Sequence, residues 1–429
     1  MLKKLVQTIL RWEARVVLKK FNPKIVAVTG SVGKSSTKEA IACVLSSKFK
    51  VRKSPKSYNS AFGVPLTVLG LETGWGSAFG WIAVLIHGFM ARFHNSYPEV
   101  LILEAGVDRP GDMDAILSLI QPQVSVVTAI GEMPVHVEFF SGPKELAFEK
   151  GKIVRKTAAQ GCVVLNADDD VVYDMRNEAR GRVVTFGFGK GADIHVSHYA
   201  LSTERNVHGV DVPAGVHCKV DYQGSSVPLR LQGALGKQQL YVAAAAIGAG
   251  SCLGVHMVDA VAALQAYRPL PGRLRLLEGI KDSLILDDTY NASPTAMHAA
   301  LDALRDMPAN RRIAVLADML EIGKFTIPAH QAMGELVRAF ADVLVTVGPR
   351  AKFIAREARE RGMKASGIHE FTNSTEAGKF LQELAEPGDV LLVKGSQSMR
   401  MERAVEEIMA HPEQAKDLLC RQEEYWKAV

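Results

Sequence analysis

No two of the five cysteines (Cys43, Cys162, Cys218, Cys252 and Cys420) form a C-x-x-C pair. That excludes the usual zinc spacings and indicates no disulfide framework, as expected of a chain kept in a reducing compartment. There is no dominant block of one charge: 51 Lys and Arg against 46 Asp and Glu leave a formal net charge of +5, with basic residues concentrated only near the N-terminus. So small an excess does not point to nucleic acid, and anionic small substrates such as phosphates and carboxylates account for it equally well. No low-complexity tract or internal repeat stands out, and the basic N-terminus lacks the apolar core and small-residue cleavage site of a secretory signal. Charged content of 23% and hydrophobic content of 48% suit a soluble globular protein of two or three domains over 429 residues.

One stretch has no charge. Between Thr73 and Ala91 there is no Asp, Glu, Lys or Arg, while Trp75, Phe79, Trp81, Ile82, Leu85, Ile86, Phe89 and Met90 crowd it. Length and hydropathy alone would allow a membrane span. A single span there would, however, put the strands before and after it on opposite sides of a bilayer, so a buried helical hairpin or a membrane-surface patch is expected instead. Residues 1–21 read as a basic amphipathic helix. Val6, Ile9, Leu10, Val16 and Val17 recur at helical spacing among Lys3, Lys4, Arg11, Arg15, Lys19 and Lys20. Such a helix covers a neighbouring domain or lies on an anionic membrane; the covering role is the leading expectation.

What the chain does have is organised around Ile25–Glu39. A β-prone run, Ile25–Val28, enters Gly30-Ser31-Val32-Gly33-Lys34-Ser35-Ser36, and a helix-compatible run follows from Thr37. Strand, glycine turn, Lys-Ser and helix is the layout of a phosphate cradle. Glycines let backbone N–H groups approach a polyphosphate, the lysine adds a positive charge, and the serine hydroxyl can hold Mg²⁺. The spacing is G-x-x-G-K-S, because Val28 stands where the longer pattern has its first glycine.

Further on, Val100–Glu104 is a short apolar strand ending in an acid. The C-terminal ends of parallel strands face the ligand, so Glu104 is placed to hold Mg²⁺. Val124–Val127 is another buried strand, and His136 follows its end. Glu145–Ile153 reads as a helix carrying Lys150, and Val163–Asp170 as a strand closing in a polar turn with Asn166. Residues 190–235 turn to alternating, glycine-punctuated sequence, an antiparallel excursion. Gln238–Ala249 is an alanine-rich buried helix. Arg268-Pro-Leu-Pro-Gly-Arg273 breaks the chain and marks a boundary between the domain of the phosphate cradle, over 23–271, and a second domain over 272–429. Beyond it, strands and helices alternate as in a mostly parallel, Rossmann-like α/β domain, with closing helices at Ser398–Met409 and Pro412–Glu424.

Four stretches carry a family resemblance: Asn59–Thr67, Asp287-Asp-Thr-Tyr-Asn-Ala-Ser-Pro294, Val315–Gly323 and Val393-Lys-Gly-Ser-Gln-Ser-Met399 with Arg400 to Glu402. In this order, and with the short phosphate loop, the chain resembles the Mur ligases from about Lys24 to about Met409. Within them it is most similar to the type that adds D-alanyl-D-alanine to a UDP-muramoyl tripeptide. The resemblance implies an α/β P-loop ATPase domain, an ATP-dependent amide-bond-forming ligase of peptidoglycan synthesis, and ATP and Mg²⁺ as cofactors.

It also implies roles residue by residue. The loop amides from Gly30 through Ser36 and Lys34 would hold phosphates, Ser35 and Glu104 one Mg²⁺, and His136 a second. Lys150 matches a position where the family carries a carbamylated lysine, an anionic metal ligand. Arg273 would reach the γ-phosphate, Asp288 and Tyr290 the nucleotide, with Asn291 and Asn166 nearby. A cytoplasmic monomer acting on small substrates is implied, with no nucleic acid partner; residues 1–21 and 73–91, by their own composition, are the candidates for peripheral contact with the inner membrane face.

Departures accompany the match. The family type usually has a uridine-nucleotide-binding domain ahead of the ATPase domain, where this chain has about twenty residues, so the expectation is an acceptor presented otherwise. Gln238 and Gln239 stand where His-Asn is usual, and Lys152, where an acid is common, would weaken metal binding. The alternatives are a folylpolyglutamate, cyanophycin or polyglutamate synthetase-like ligase, or a nucleotide-binding scaffold without ligase activity.

Overall fold

The structure is a computed structural model that describes residues 2–55, 57–74, 77–205 and 211–427. Trp75 and Gly76, part of the charge-free stretch, and residues 206–210 of the antiparallel excursion lie outside the described residues. Two sheets carry the fold. The first runs β1 (Lys24–Thr29), β2 (Val51–Lys53), β3 (Val100–Glu104), β4 (Val124–Val127), β5 (Cys162–Asn166), β6 (Arg182–Gly187), β7 (Ile194–Arg205), β8 (Asp211–Tyr222) and β9 (Ser225–Gln232). The second comprises β10 (Arg275–Glu278), β11 (Leu284–Asp288), β12 (Arg312–Ala317), β13 (Val343–Val347), β14 (Ile368–Phe371) and β15 (Val390–Lys394).

The first sheet has the spatial order β2-β3-β1-β4-β5-β6-β7-β8-β9, parallel through β7 and antiparallel from β7 to β9. Its central strands are short Val, Ile and Leu runs without polar alternation, and β3, β4 and β5 are buried along their whole length. That is the sequence a parallel sheet needs when helices cover both faces. Two separate hydrophobic cores, one on each face, follow from it. The second sheet, order β10-β11-β15-β12-β13-β14, is parallel apart from β10 and also has a core on each face.

The helix after the loop, α2 (Lys34–Ser46), leaves β1 toward the edge strand β2, whereas β4 lies on the other side of β1. The chain's winding therefore reverses around β1. Ligands of open α/β sheets bind outside the carboxyl ends of the strands at such a reversal. The ends of β1, β3 and β4 deliver the glycine loop, Glu104 and Thr128 to one edge.

Some expectations change. Helix α1 (Leu2–Phe21) buries Val6, Leu10, Ala14 and Val17 against α3 (Gly63–Leu69) and α4 (Ala78–Ala91), as the covering role requires. From Ala78 onward the charge-free stretch is one helix, α4, rather than a buried hairpin, and only Val84, Gly88 and Ala91 of that helix are buried. No described helix is long and apolar enough to cross a membrane. Pro412–Glu424 is not a closing helix but short turns, Pro412–Gln414 and Ala415–Leu418, with a further turn at Glu424–Lys427. That segment is held by Arg421, whose guanidinium donates to Glu402 and to the carbonyls of Thr289 and Tyr290. Where the sequence indicates no disulfide framework, Cys162 and Cys252 are joined as one disulfide, because the helix Lys237–Cys252 lies across β5 and closes a separation of 90 residues.

Candidate active site

The glycine turn is shaped by what it touches. Gly30 has φ +142°, and a Cβ there would lie 2.1 Å from Thr128 Oγ1 and 3.0 Å from the Ala129 carbonyl. Only glycine lets the loop pack so closely on the end of β4. Ser31 N donates to Ala129 O at 2.6 Å, Thr128 Oγ1 donates to Val32 O at 2.6 Å, and Gly33 turns at φ +85° into the first turn of α2. The open N-terminus of a helix is thus aimed across the loop.

Two lysines sit under this turn. Lys34 Nζ donates to Gly30 O at 2.9 Å, and Lys150 Nζ, from the helix Pro143–Lys156, donates to the same carbonyl at 3.1 Å. Burial lowers both pKa values. Lys150 falls well below the ordinary lysine value, with Lys34 adding repulsion; for Lys34 the Glu104 carboxylate opposes the fall. Lys152, two residues on from Lys150, points elsewhere. Its ammonium turns away to Asp114 at 2.5 Å and Glu149 at 2.6 Å, and Glu149 in turn accepts from Gly111 N and Met113 N.

Over the loop lies a cavity of about 700 Å³ whose lining includes Ser31, Gly33, Lys34, Ser35, Glu104, His136, Arg273, Tyr290 and Asn291. Ser35 Oγ donates to Glu104 Oε2 at 3.0 Å. Arg273 reaches over from the start of the second lobe, and its Nη2 donates to Ser35 Oγ at 3.1 Å. Its guanidinium rests 3.8 Å from the Tyr290 ring centroid, and the Tyr290 hydroxyl shares a 2.9 Å hydrogen bond with Ser57. Arg273 Nε and Ser31 Oγ are buried without a hydrogen-bond partner. Unpaired buried donors are costly and rare, so these two have capacity that a phosphate would use.

His136 sits at φ +69°, 2.9 Å from Glu321 Oε2 of the second lobe and 3.4 Å from Asp108 Oδ1. The His136 imidazole holds the Glu321 carboxyl below the usual range. Among the described residues no three His, Cys, Asp or Glu side chains converge as a ready metal cluster. The Ser35 hydroxyl and Glu104 carboxylate nonetheless fit Mg²⁺, a hard ion that binds through one or two protein oxygens and completes its shell with water and phosphate.

A narrower cavity of about 100 Å³ is lined by Val32, Ser36, Gln238, Asp288, Tyr290, Asn291 and Lys394 among others. Asp288 accepts from Leu274 N at 3.1 Å and from Lys394 Nζ at 2.5 Å. Asn291 Oδ1 accepts from Ala292 N at 2.9 Å and from Gln397 N at 3.3 Å. Asn166 stands apart, in a small pocket behind the loop with Val32, Gly33 and Gln238, its Oδ1 accepting from Asp168 N at 3.0 Å.

Sequence reasoning gave no role to Lys394 or Glu321, although they lie inside the Val393–Met399 and Val315–Gly323 stretches. It also saw Gln239 only as a departure. Gln239 Nε2 donates to Arg273 O at 3.0 Å and its Oε1 accepts from the Tyr267 hydroxyl at 2.9 Å, so this residue holds the backbone of the reaching arginine.

With this geometry the comparisons agree. The Mur ligase middle domain matches residues 83–250, and the Mur ligase, glutamate ligase domain matches residues 272–397. The UDP-N-acetylmuramoyl-tripeptide–D-alanyl-D-alanine ligase of Bacillus subtilis is 27% identical over 407 residues, 94% of this chain and 80% of that protein. Its counterpart in Escherichia coli is 27% identical over 389 residues, 89% of this chain and 76% of that protein. The MurF ligase of Thermotoga maritima in complex with ADP superposes with a TM-score of 0.75 at 26% identity, over 96% of this chain and 84% of that one. MurF from Acinetobacter baumannii gives 0.75 at 25% identity, over 93% and 79%. An α/β architecture with a phosphate loop at its winding reversal, an arginine crossing from the second lobe, and matches running through both lobes lead to one conclusion: the chain belongs to the Mur ligase family and is an ATP-dependent ligase.

Proposed function

We propose that the protein works in the cytoplasm on peptidoglycan precursors, activating the carboxylate of a muramoyl peptide as an acyl phosphate and joining it to D-alanyl-D-alanine. The division into an ATP-binding domain over 23–271 and a second domain over 272–429 belongs to this reading. The observation that carries it is the hydrogen bond from Arg273 of the second lobe to Ser35 of the phosphate loop, with Glu104 and Lys34 in the same cavity.

A carboxylate is a poor electrophile, and its oxygen must meet a polyanionic γ-phosphate. Lys34, Arg273 and the loop amides offset that repulsion from fixed positions, which requires no reorganisation during transfer. The carboxylate oxygen bonds to phosphorus as the bond to the ADP oxygen breaks. The dipeptide amine then attacks the acyl carbon, inorganic phosphate leaves with the electron pair of the C–O bond, and the proton lost by the amine leaves on that phosphate. Mg²⁺, held by Ser35 and Glu104, would neutralise phosphate charge. Burial lowers the Lys150 pKa well below the ordinary lysine value, which favours the free amine that carbamylation requires; Asp288, Tyr290, Asn291 and, from behind the loop, Asn166 would border the nucleotide, and His136 a second metal.

The test is phosphate release with ATP, UDP-muramoyl tripeptide and D-alanyl-D-alanine. Release that depends on both peptide substrates and vanishes in Lys34→Ala is expected. Full turnover by that variant, or release indifferent to the dipeptide, would defeat the reading.

A further inference from the structure

The outer side of α4 has no protein cover. Phe79, Ile82, Ile86, Phe89 and Phe93 recur at intervals of three and four residues, which places them in one stripe, and each is 41% or more exposed. Phe79 reaches 86%. A second stripe, Val84, Gly88 and Ala91, is the buried one. The helix is therefore apolar on two sides and packed on one. Helix α1 lies beside it: Glu13 meets Gly88, and Lys20 Nζ donates to the carbonyls of Arg92 and His94. On α1, Leu5 and Trp12, two turns apart, are 57% and 50% exposed. Of the thirteen large apolar side chains exposed among the described residues, eight fall on α1, α4 and the turn after α4. That concentration is not the scatter normal for a soluble surface.

Charge decides what fits there. The stretch Thr73–Ala91 has no charged residue, and α1 has six basic residues against one acid, Glu13, which is buried against α4. Lys3, Lys4 and Lys19 of α1 are exposed, and the Arg92 guanidinium lies 3.6 Å from the centroid of the Phe89 ring in the apolar stripe. With 14 residues at about 1.5 Å each, α4 is about 21 Å long, short of a bilayer core of about 30 Å. An aromatic stripe on a helix too short to span, beside a helix with six basic residues, is the pattern of a surface that lies in the lipid interface.

We infer that α1 and α4 form a docking platform for an anionic membrane surface, with the α4 stripe and Trp12 entering the acyl boundary and the lysines of α1 meeting lipid phosphates. The inference does not depend on the ligase reading, and its test reads binding rather than turnover.

Full-length protein is floated with vesicles of phosphatidylcholine alone or with about 30 mol% phosphatidylglycerol, at about 50 mM and about 500 mM salt. Flotation with the anionic vesicles at low salt is expected. The Phe79→Ser/Ile86→Ser variant, altered only at exposed positions, is expected to lose about tenfold or more of the partitioning. Lys4→Glu/Lys19→Glu, which leaves the apolar stripe intact, is expected to lose the preference for anionic vesicles. Quenching of tryptophan fluorescence by brominated phosphatidylglycerol, reduced in Trp12→Phe, reads the same contact in protein whose packing is unchanged. No flotation of the wild type at low salt would overturn the inference, as would unchanged flotation of both double variants. So would a wild-type dimer in light scattering that Phe79→Ser/Ile86→Ser converts to monomer while neither binds vesicles, since a second copy would then be the cover.

Discussion

Lys150 and Lys394 are equally buried, each 1% exposed, and the two lobes treat them in opposite ways. Lys394 ends β15, directly opposite Asp288 on β11, and its ammonium donates to that carboxylate at 2.5 Å and to Asn291 O at 2.9 Å. Its charge is answered inside the protein. Lys150 donates only to the Gly30 carbonyl among the described residues, and burial together with the neighbouring Lys34 drives its pKa down. Glu104 and Asp108 act on it through space without a direct bond. The second lobe is electrostatically complete at Lys394; the cleft over the glycine loop instead gathers Lys34, the unpaired Ser31 hydroxyl and Arg273 reaching over from the second lobe, donors that a phosphate from outside would use. A structural ion pair and a site awaiting phosphate are thus told apart by what the buried amine touches, not by how deeply it is buried.

The contrast breaks first at Arg273. If the first lobe awaits an anion, Arg273→Ala should cost turnover far more than fold: about 10²–10³-fold in kcat, with the urea midpoint of the nucleotide-free protein nearly unchanged. A variant that melts early yet turns over normally would make Arg273 a structural tie. Lys394→Met should show the reverse pattern in stability, since it strands the Asp288 carboxylate under cover. A loss of about 3–5 kcal/mol in urea unfolding is expected. An unchanged midpoint would mean that Asp288 is relieved by other groups, and the comparison would fail.

Next comes pH. A lysine whose folded pKa lies below its unfolded value binds fewer protons folded than unfolded, so stability rises with pH across that interval. For Lys150 the interval ends at the ordinary lysine value of 10.5, and its contribution fades as pH falls through the depressed folded value. In CO₂-depleted buffer, wild-type stability should therefore climb with pH toward that value relative to Lys150→Met, which has no proton to lose. Parallel pH curves for the two proteins would show that Lys150 is not held neutral.

Much of the first lobe was legible because its signals are local. A buried strand, a glycine turn and a Lys-Ser pair stand next to one another, and the expected Lys34, Ser35, Glu104, His136 and Arg273 line a single cavity. The strands β2, β10 and β14 were not read, since runs of three or four edge residues have no periodicity of their own and are defined by distant partners. The same reason hid the pairing of Lys394 with Asp288, 106 residues away, and the bond from Gln239 to the Arg273 carbonyl. Helix position alone did not show that Asp114 and Glu149 draw the Lys152 ammonium aside. In α4, composition revealed apolarity but not that one stripe would stay uncovered.

The smallest effect extends the comparison to a buried acid. Glu13, 4% exposed between α1 and α4, has Oε2 without a hydrogen-bond partner, and burial raises its pKa to about 7 against the opposing pull of Arg92. The sign is opposite to that of Lys150. A carboxyl raised above its ordinary value of 4.5 favours the fold below that value, and the contribution is lost as pH rises through about 7. Glu13→Gln keeps the shape and cannot ionise. At pH 5 the variant should match the wild type; at pH 8 it should be more stable by about 1–2 kcal/mol, with slower hydrogen exchange confined to the amides of α1 and α4. Equal exchange at both pH values would mean that Arg92 fully answers Glu13, leaving Lys150 without a mirror image in the helical platform.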